Sequence, residues 1–277
     1  MVIAQESLRA GNVLLALQQL QDQIRKQPAN AQHRVFLFQL LAVLGRWEKA
    51  MTQLNVLAEL DAGTLPMVQT YREILRCEAL RAQVFAGQRS PLIFGDPVQW
   101  LALLFESLRL TATGHHAQAQ TVRDQAFEAA PTTPGCLDGQ PFAWIADADT
   151  RLGPVIEAVI NGRYYWVPFQ RIRAIQLEAP ADLRDLVWMP AQFTWRNGGE
   201  TVGFIPSRYP DSETSSDPAI QLGRKTEWQE YEGDAFIGLG QRLLTTEGGD
   251  YPLLEIRSIT LDDDAAPETG ALGAAAE

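Results

Sequence analysis

A recurring spacing of small residues in the first half of the chain constrains its fold more than any other feature. A glycine is followed five residues later by an alanine and nine residues later by a leucine, at Gly11, Ala16 and Leu20. The pattern returns thirty-four residues further on, and its glycine and alanine return once more: Gly45, Ala50 and Leu54, then Gly114 and Ala119. Glycine suits a tight turn and alanine suits close helix contact, so the spacing predicts helix pairs with the tetratricopeptide period.

Apolar residues at helical spacing support this prediction. Three ranges carry apolar side chains at three- and four-residue steps and are predicted to be helices: 31–44, 47–60 and 67–85. Asp96 followed by Pro97 predicts a further helix start, with Asp96 as the N-cap. Residues 87–91 do not open a helix cleanly, so we expect the third pair to be degenerate or replaced by a loop.

The helical pattern stops at Gly135. Two prolines lie within the five residues that precede it, and they interrupt any helix there. We therefore expect an α+β protein, in which an all-α, tetratricopeptide-like helical repeat domain at 1–134 is followed by a mostly antiparallel, β-rich domain at 135–261. Residues 262–277 are acidic and of low complexity, which predicts a disordered tail.

A β-hairpin is the strongest local signal in the second half. Val155–Ile160 and residues 163–167 are β-prone runs joined by Asn161-Gly162, the dipeptide that favours a type I′ turn. Five further runs are predicted to be strands: 171–177, 186–194, 200–205, 227–231 and 253–259.

Charge and composition exclude several classes of protein. The formal net charge is −11 and the isoelectric point is near 4.8, and no segment is basic enough to bind a nucleic acid backbone. The chain contains no long apolar run and no signal peptide pattern, so we expect a soluble, cytoplasmic protein that does not contact membranes. Cys77 and Cys136 are far apart, which indicates two reduced thiols rather than a disulfide.

Catalytic and metal-binding residues are few. Asp147, Asp149 and Glu157 form the best carboxylate group, and they support an alternative interpretation as a carboxylate- or cation-dependent hydrolase. The competing interpretation is a solvated turn in which Arg151 makes a local ion pair. The histidines and cysteines lack metal-ligand spacing, and residues 238–242 do not complete a phosphate-binding motif, so we predict neither a metal nor a cofactor.

Aromatic and arginine side chains are the best candidates for binding a partner. Such residues dominate protein interfaces because they bury a large area and still offer a polar group. The candidate partner-binding residues are Arg151, Tyr164, Trp166, Arg224 and Trp228. Packing in the protein core is the competing interpretation, and we expect it to hold for most of the aromatic residues.

Four stretches of the second half resemble the ImpE/SciE family, also called TagJ, of type VI secretion accessory proteins: 144–154, 161–168, 183–188 and 222–228. The resemblance extends over about residues 5–261. It implies a cytoplasmic, non-enzymatic adaptor that binds the small contractile-sheath subunit (TssB-type) through that subunit's N-terminal helix and links the sheath to the ClpV disassembly ATPase. It assigns no binding residue.

The leading hypothesis is therefore an adaptor that holds an amphipathic helix in an apolar groove. The hydrolase is the alternative from another class. A third hypothesis is that the acidic second half binds a basic partner surface, which predicts an affinity that falls with added salt. The residues do not indicate which half binds the partner, or whether the chain forms oligomers.

Overall fold

The computed structural model describes residues 2–96, 98–232 and 234–262. Within these residues the protein is α+β, with helices in the first half and a sheet-rich second half. The helices are α1 (Val2–Arg9), α2 (Val13–Lys26), α3 (Ala31–Val43), α4 (Trp47–Leu60), α5 (Leu65–Phe85), α6 (Gln99–Ala112), α7 (His116–Ala129) and the short α8 (Pro218–Gln221).

The strands follow mainly after residue 134. They are β1 (Leu92–Ile93), β2 (Gly135–Leu137), β3 (Gln140–Phe142), β4 (Ala146–Asp147), β5 (Val155–Ile160), β6 (Arg163–Pro168), β7 (Ile172–Leu177), β8 (Trp188–Trp195), β9 (Glu200–Pro206), β10 (Thr226–Tyr231), β11 (Ala235–Gly240), β12 (Leu243–Thr246), β13 (Gly249–Pro252) and β14 (Ser258–Leu261).

The repeated glycines lie at the turns between paired helices. Gly11 separates α1 from α2, Gly45 separates α3 from α4, and Gly114 separates α6 from α7. All three adopt a positive φ, at 84°, 62° and 80°, a conformation that glycine reaches without steric cost. The alanine five residues after each glycine is buried, as close helix packing requires.

The segment between α5 and α6 is where the helix pattern fails. Over its described residues, 86–96 and 98, no second helix forms; instead β1 joins the sheet, in parallel register with β6. The prediction that Asp96 caps α6 is wrong, because the helix begins at Gln99 and Val98 occupies the N-cap position. Pro97 lies outside the described residues.

Nine strands form the main sheet, in the order β1-β6-β5-β9-β8-β7-β14-β2-β3. The β1–β6 pair is parallel and the other pairs among the described strands are antiparallel. The predicted hairpin is confirmed: β5 pairs with β6 across Asn161 and Gly162, whose φ angles are 50° and 70°. Two smaller sheets accompany it, β10-β11 and β13-β12-β4.

The predicted strand over residues 253–259 is wrong for most of its length. β13 ends at Pro252 and β14 begins at Ser258, and a turn lies between them. Leu253 and Ile256 are apolar because they are buried in that turn, not because they alternate along a strand. The predicted tail begins at Asp262, and its remaining residues, 263–277, lie outside the described part of the chain.

Two hydrophobic cores organise the molecule. The first joins helices α1–α6 and Ala126 of α7 to residues of the β half, including Val155, Trp166 and Trp188. The second lies within the β half and includes Ile175, Phe193 and Ile259. The first core therefore packs the helices directly on the sheet. No helix in the described ranges is long and apolar enough to cross a bilayer.

Candidate functional site

The three acidic residues of the hydrolase interpretation do converge, but in the protein interior. Asp147, Asp149 and Glu157 are all buried. Arg242 lies between two of them and forms ion pairs with Asp147 and with Glu157. Arg81 of α5 forms a bidentate pair with Glu157, with Nε–Oε1 at 2.6 Å and Nη2–Oε2 at 3.0 Å. We call these five residues the buried charge cluster.

Asp149 forms an ion pair with Arg151. Arg151 donates to it through Nε at 2.9 Å and through Nη2 at 2.5 Å. The backbone N–H of Gly238 donates to Asp149 Oδ2 at 3.0 Å. The predicted local ion pair is therefore present, but it is buried rather than solvated, because β11 covers it.

Hydroxyl groups occupy the remaining positions around the acids. Tyr164 donates to Glu157 Oε1 at 2.5 Å, and Tyr209 donates to Asp147 Oδ1 at 3.1 Å. Each carboxylate oxygen of the buried charge cluster thus accepts at least one hydrogen bond from the protein itself. Among the described residues, no group of three His, Cys, Asp or Glu side chains is placed to hold a metal ion.

The electrostatics of the cluster follow from burial and from the arginines. Burial raises the pKa of Glu157, but the charges of Arg81 and Arg242 outweigh it and lower the pKa to about 2. Burial raises the pKa of Asp147 to about 6, against the opposing charge of Arg242. The same carboxylates raise the pKa of Arg81 and Arg242, so both guanidinium groups are charged. The chemical role this supports is neutralisation of buried charge.

Sequence reasoning missed the arginines that complete the cluster. Arg81 lies 76 positions from Glu157, and Arg242 lies 95 positions from Asp147. Arg208 is a further buried arginine, which donates from the β half to the carbonyl of Val43 at 2.8 Å. Within α5, Arg81 lies on the same face as buried apolar residues. This position on the helix is the local signal in the sequence that Arg81 is buried.

Two of the candidate partner-binding residues lie in the core. Tyr164 and Trp166 are buried. The Trp166 ring packs against Phe105 of α6 and Phe85 of α5, with ring centroids 5.2 and 5.9 Å apart. Trp166 therefore contacts two helices of the same chain, and its Nε1 donates to the Tyr164 hydroxyl at 2.8 Å. Neither aromatic presents a surface to a partner in this structure.

The two arginine candidates are also engaged within the chain. Arg151 lies over the Phe85 ring, 4.8 Å from its centroid, at the edge of a cavity of about 410 Å³ between α6 and the β10-β11 hairpin. Arg224 donates to the carbonyls of Leu8 and Arg9 at 3.2 Å. It therefore binds the carboxyl end of α1, where a positive charge is favourable.

Trp228 and Arg224 are the candidate residues that reach the surface. Trp228 lies on β10, packs against Tyr209 with ring centroids 5.6 Å apart, and is 36% exposed. Tyr231 and Phe236 of the same hairpin are 38% and 39% exposed. The register of β10 and β11 places Trp228 and Phe236 on one face of the hairpin and Tyr231 on the other. We call Trp228 and Phe236 the hairpin surface. Residues 226–241 carry acidic side chains and no lysine or arginine, so the charged side chains of this hairpin are all negative.

A further concave feature lies between the first half of α5 and strands β8 and β9. It consists of two adjoining cavities of about 710 and 340 Å³. Both are lined by Thr70 of α5 and by Val202 and Phe204 of β9, so they form one elongated depression, the α5–sheet groove. Val202 is 67% exposed in the middle of its strand.

The fold and the buried charge cluster define the class of protein to which the chain belongs. It is an α+β protein whose helix pairs pack on a nine-stranded sheet and whose buried charges neutralise one another. The family model described as ImpE protein matches residues 139–260. The chain is also 52% identical over 261 residues to the type VI secretion system accessory component TagJ of Pseudomonas aeruginosa strain PAO1, which covers 94% of this chain and 92% of that protein. The chain belongs to the ImpE family.

A solved structure shares the whole fold. The crystal structure of protein VPA1032 from Vibrio parahaemolyticus matches 95% of this chain and 98% of its own, with a TM-score of 0.85 and 23% sequence identity. The helix pairs and the sheet therefore occur together in that protein as well.

Proposed function

We propose that the protein is a non-enzymatic, cytoplasmic adaptor of a type VI secretion system. In this proposal it binds the N-terminal helix of the small contractile-sheath subunit (TssB-type) and links the sheath to the ClpV disassembly ATPase. The single observation that carries the proposal is the 52% identity, over 94% of this chain, to an accessory component of such a system.

The geometry supports a binding role over a catalytic one. The carboxylates of the hydrolase interpretation are saturated by arginine and tyrosine donors, so their ionised oxygens already have partners inside the protein. By contrast, the α5–sheet groove is open to solvent and combines an apolar strand face with the side of a helix. A groove of this kind suits one face of an amphipathic helix.

The arrangement of the chain supports the same function. In the proposal, residues 1–134 are a tetratricopeptide-like domain and residues 135–261 are the β-rich domain that carries the family motif. Three helix pairs turn at glycines, as stacked repeats do. Because the first core joins both halves, a partner bound to one half is held rigidly relative to the other.

A reconstitution with purified components tests the proposal. The full chain should retain the small sheath subunit in a pull-down, and deletion of that subunit's first helix should abolish retention. Added ClpV should then join the complex. If neither the sheath subunit nor ClpV binds the chain at micromolar concentration, the adaptor function is wrong.

A further inference from the structure

We propose that the outer edge of strand β10 binds an extended, basic segment of a partner protein as an added antiparallel strand. This binding mode goes beyond the proposed function, in which the partner supplies a helix, and it can fail while the adaptor function stands. The surface is the edge of β10 that faces away from β11, and the ligand is recognised by its backbone and by its charge.

The backbone of β10 is hydrogen-bonded to another strand on one side only. β10 pairs with β11, and among the described residues no further strand joins this two-stranded sheet. The N–H of Phe236 on β11 donates to the Thr150 hydroxyl at 3.0 Å, and its C=O accepts from the Thr150 N–H at 3.1 Å, so both groups point away from β10. Glu230 lies opposite Phe236. Its own N–H and C=O therefore point outward, because such groups alternate in direction along an antiparallel ladder.

Trp228 repeats this arrangement two residues earlier. Its partner across the hairpin, Gly238, donates its N–H to Asp149 Oδ2 and thus away from β10. Within the described part of the chain, no hydrogen bond reaches the N–H or C=O of Trp228 or of Glu230. The backbone groups of both residues are therefore free to pair with an incoming strand, which is how a strand adds to an exposed sheet edge.

The side chains of β10 leave space for such a strand. All of them from Glu227 to Tyr231 are exposed. Trp228 and Glu230 lie on the face that carries the hairpin surface, and Gln229 and Tyr231 lie on the other face, where they line the cavity of about 410 Å³ beside α6. Successive side chains of an added strand would therefore lie beside Glu230 and at the edge of this cavity in alternation.

The charges of the hairpin favour a basic strand. β10 carries Glu227 and Glu230, and residues 226–241 contain no lysine or arginine. Lys225, directly before the strand, is already paired with Glu227 and with Asp217. Among the described residues, no cation forms an ion pair with Glu230. A lysine or arginine opposite Glu230 on an added strand would supply that partner, and opposite charges facing each other across a strand pair are favourable.

A second copy of this chain fits the same edge poorly. Antiparallel pairing of β10 with β10 of another copy would bring Glu227 and Glu230 of each chain close to the same acids of the other. Like charges across a strand pair are destabilising, and charged edge residues protect sheets from self-association. The same acids therefore oppose pairing with a copy and favour pairing with a basic strand.

Synthetic peptides test the mode of binding to the full-length chain. The probe is a capped, fluorescently labelled octapeptide of alternating lysine and valine, and its Kd is measured by fluorescence anisotropy. With the lysines on the face of Glu230, their N–H groups point to β10 and those of the valines point away. N-methylation of the lysine backbone nitrogens should raise the Kd by about tenfold or more, because it removes these hydrogen bonds. N-methylation of the valine nitrogens should leave the Kd within about threefold. An octapeptide of alternating glutamate and valine should bind more weakly than either.

Two substitutions at one position test the edge itself. Glu230→Pro removes the charge and the outward N–H, whereas Glu230→Thr removes the charge alone. Proline is tolerated on an edge strand where the N–H faces solvent, and circular dichroism and the unfolding midpoint check that each variant is folded. We expect Glu230→Thr to raise the Kd of the lysine–valine peptide by about two- to fivefold, as loss of an exposed ion pair does. Glu230→Pro should raise it by a further factor of about ten.

Several results would overturn the proposal. The lysine–valine peptide fails to bind the wild type, or the acidic peptide binds as tightly as the basic one. The two N-methylated peptides bind alike, or Glu230→Pro binds the probe as well as Glu230→Thr does, in which case attraction between charges alone explains the binding. If the wild type self-associates in sedimentation and Glu230→Pro is a monomer, a second copy occupies the edge. The adaptor function is tested separately, by the pull-down with the sheath subunit.

Discussion

Arg81 of α5 and Glu157 of β5 form a bidentate, buried ion pair that connects the helical half of the protein to its sheet. Arg81 also donates to the carbonyl of Arg208 at 2.8 Å. The guanidinium thus binds three acceptor atoms of the β half from one position on a helix. Its substitution would leave the buried charge of Glu157 with less compensation.

We predict that Arg81→Met lowers the free energy of unfolding by about 3–5 kcal/mol, the usual cost of breaking a buried ion pair. Urea denaturation followed by circular dichroism measures this. Arg109→Ala is the control, because Arg109 pairs with Glu106 on the exposed surface of α6 and solvent screens that pair. A Met variant as stable as the wild type would show that the pair contributes no net stability.

The two halves of the chain should unfold in one transition. The first core includes residues of the helices and of β5, β6 and β8. Separating the halves would therefore expose apolar surface on both. We expect circular dichroism, which reports the helices, and tryptophan fluorescence, to which five of the seven tryptophans contribute from after residue 135, to give coincident denaturation curves. Two separated midpoints would show instead that the halves are independent domains.

The free energy of unfolding should depend on pH through both Glu157 and Asp147, and the two residues should change it in opposite directions. The folded-state pKa of Glu157 is about 2 against an ordinary value of 4.5, so its contribution is present above pH 4.5 and is lost as the pH falls toward 2. The folded-state pKa of Asp147 is about 6 against 3.8, so the folded chain binds this proton more tightly. Its contribution to stability therefore falls as the pH rises from about 4 to 6.

Two variants separate these contributions in urea titrations at stepped pH. Asp147→Asn should flatten the decline in stability between pH 4 and 6, since it removes the titrating group there. Glu157→Gln should lower stability at pH 7 and weaken the loss below pH 4.5. If Asp147→Asn keeps the wild-type slope between pH 4 and 6, the assignment of the proton to Asp147 is wrong.

Gly238 is required by packing and not by a phosphate-binding loop. A Cβ at this position would lie 2.2 Å from the Tyr209 ring, which β11 crosses closely. We predict that Gly238→Ala destabilises the fold by about 1–3 kcal/mol through overpacking. Gly199→Ala is the matched control, because its Cβ would meet only a side-chain oxygen at 3.2 Å and a ring carbon at 3.6 Å. Equal midpoints for the two variants would contradict this interpretation.

The two cysteines should differ in reactivity. Both are free thiols, as expected from the sequence, but Cys77 is buried and Cys136 is only partly so. Burial raises the pKa of Cys77 to about 12, with a further contribution from Glu78. We predict that a thiol reagent at pH 8 modifies one cysteine quickly and the second only in denaturant. If the Cys136→Ser variant loses the fast phase, Cys136 is the reactive cysteine. If the variant keeps the fast phase, that phase belongs to Cys77.

Local patterns in the sequence predicted much of the fold. The glycine turns at residues 11, 45 and 114, the α3 and α4 helices, and the β5-β6 hairpin all depend on neighbouring residues, so spacing and turn chemistry were enough to find them. The short strands were different. β1, β4 and β12 have too few residues to show a period, and they are strands because a partner strand lies beside them.

The sequence by itself predicted helix pairs followed by strands, and it determined the negative net charge and a resemblance to one family. Only the tertiary structure decided what the acids and aromatics do. Asp147 and Glu157 became a neutralised cluster because Arg81 and Arg242 reach them from distant parts of the chain. Trp166 became a core residue because Phe85 of α5 and Phe105 of α6 cover it, and Tyr164 is buried in the same core. Burial and long-range pairing depend on which elements pack together, and local spacing does not encode that.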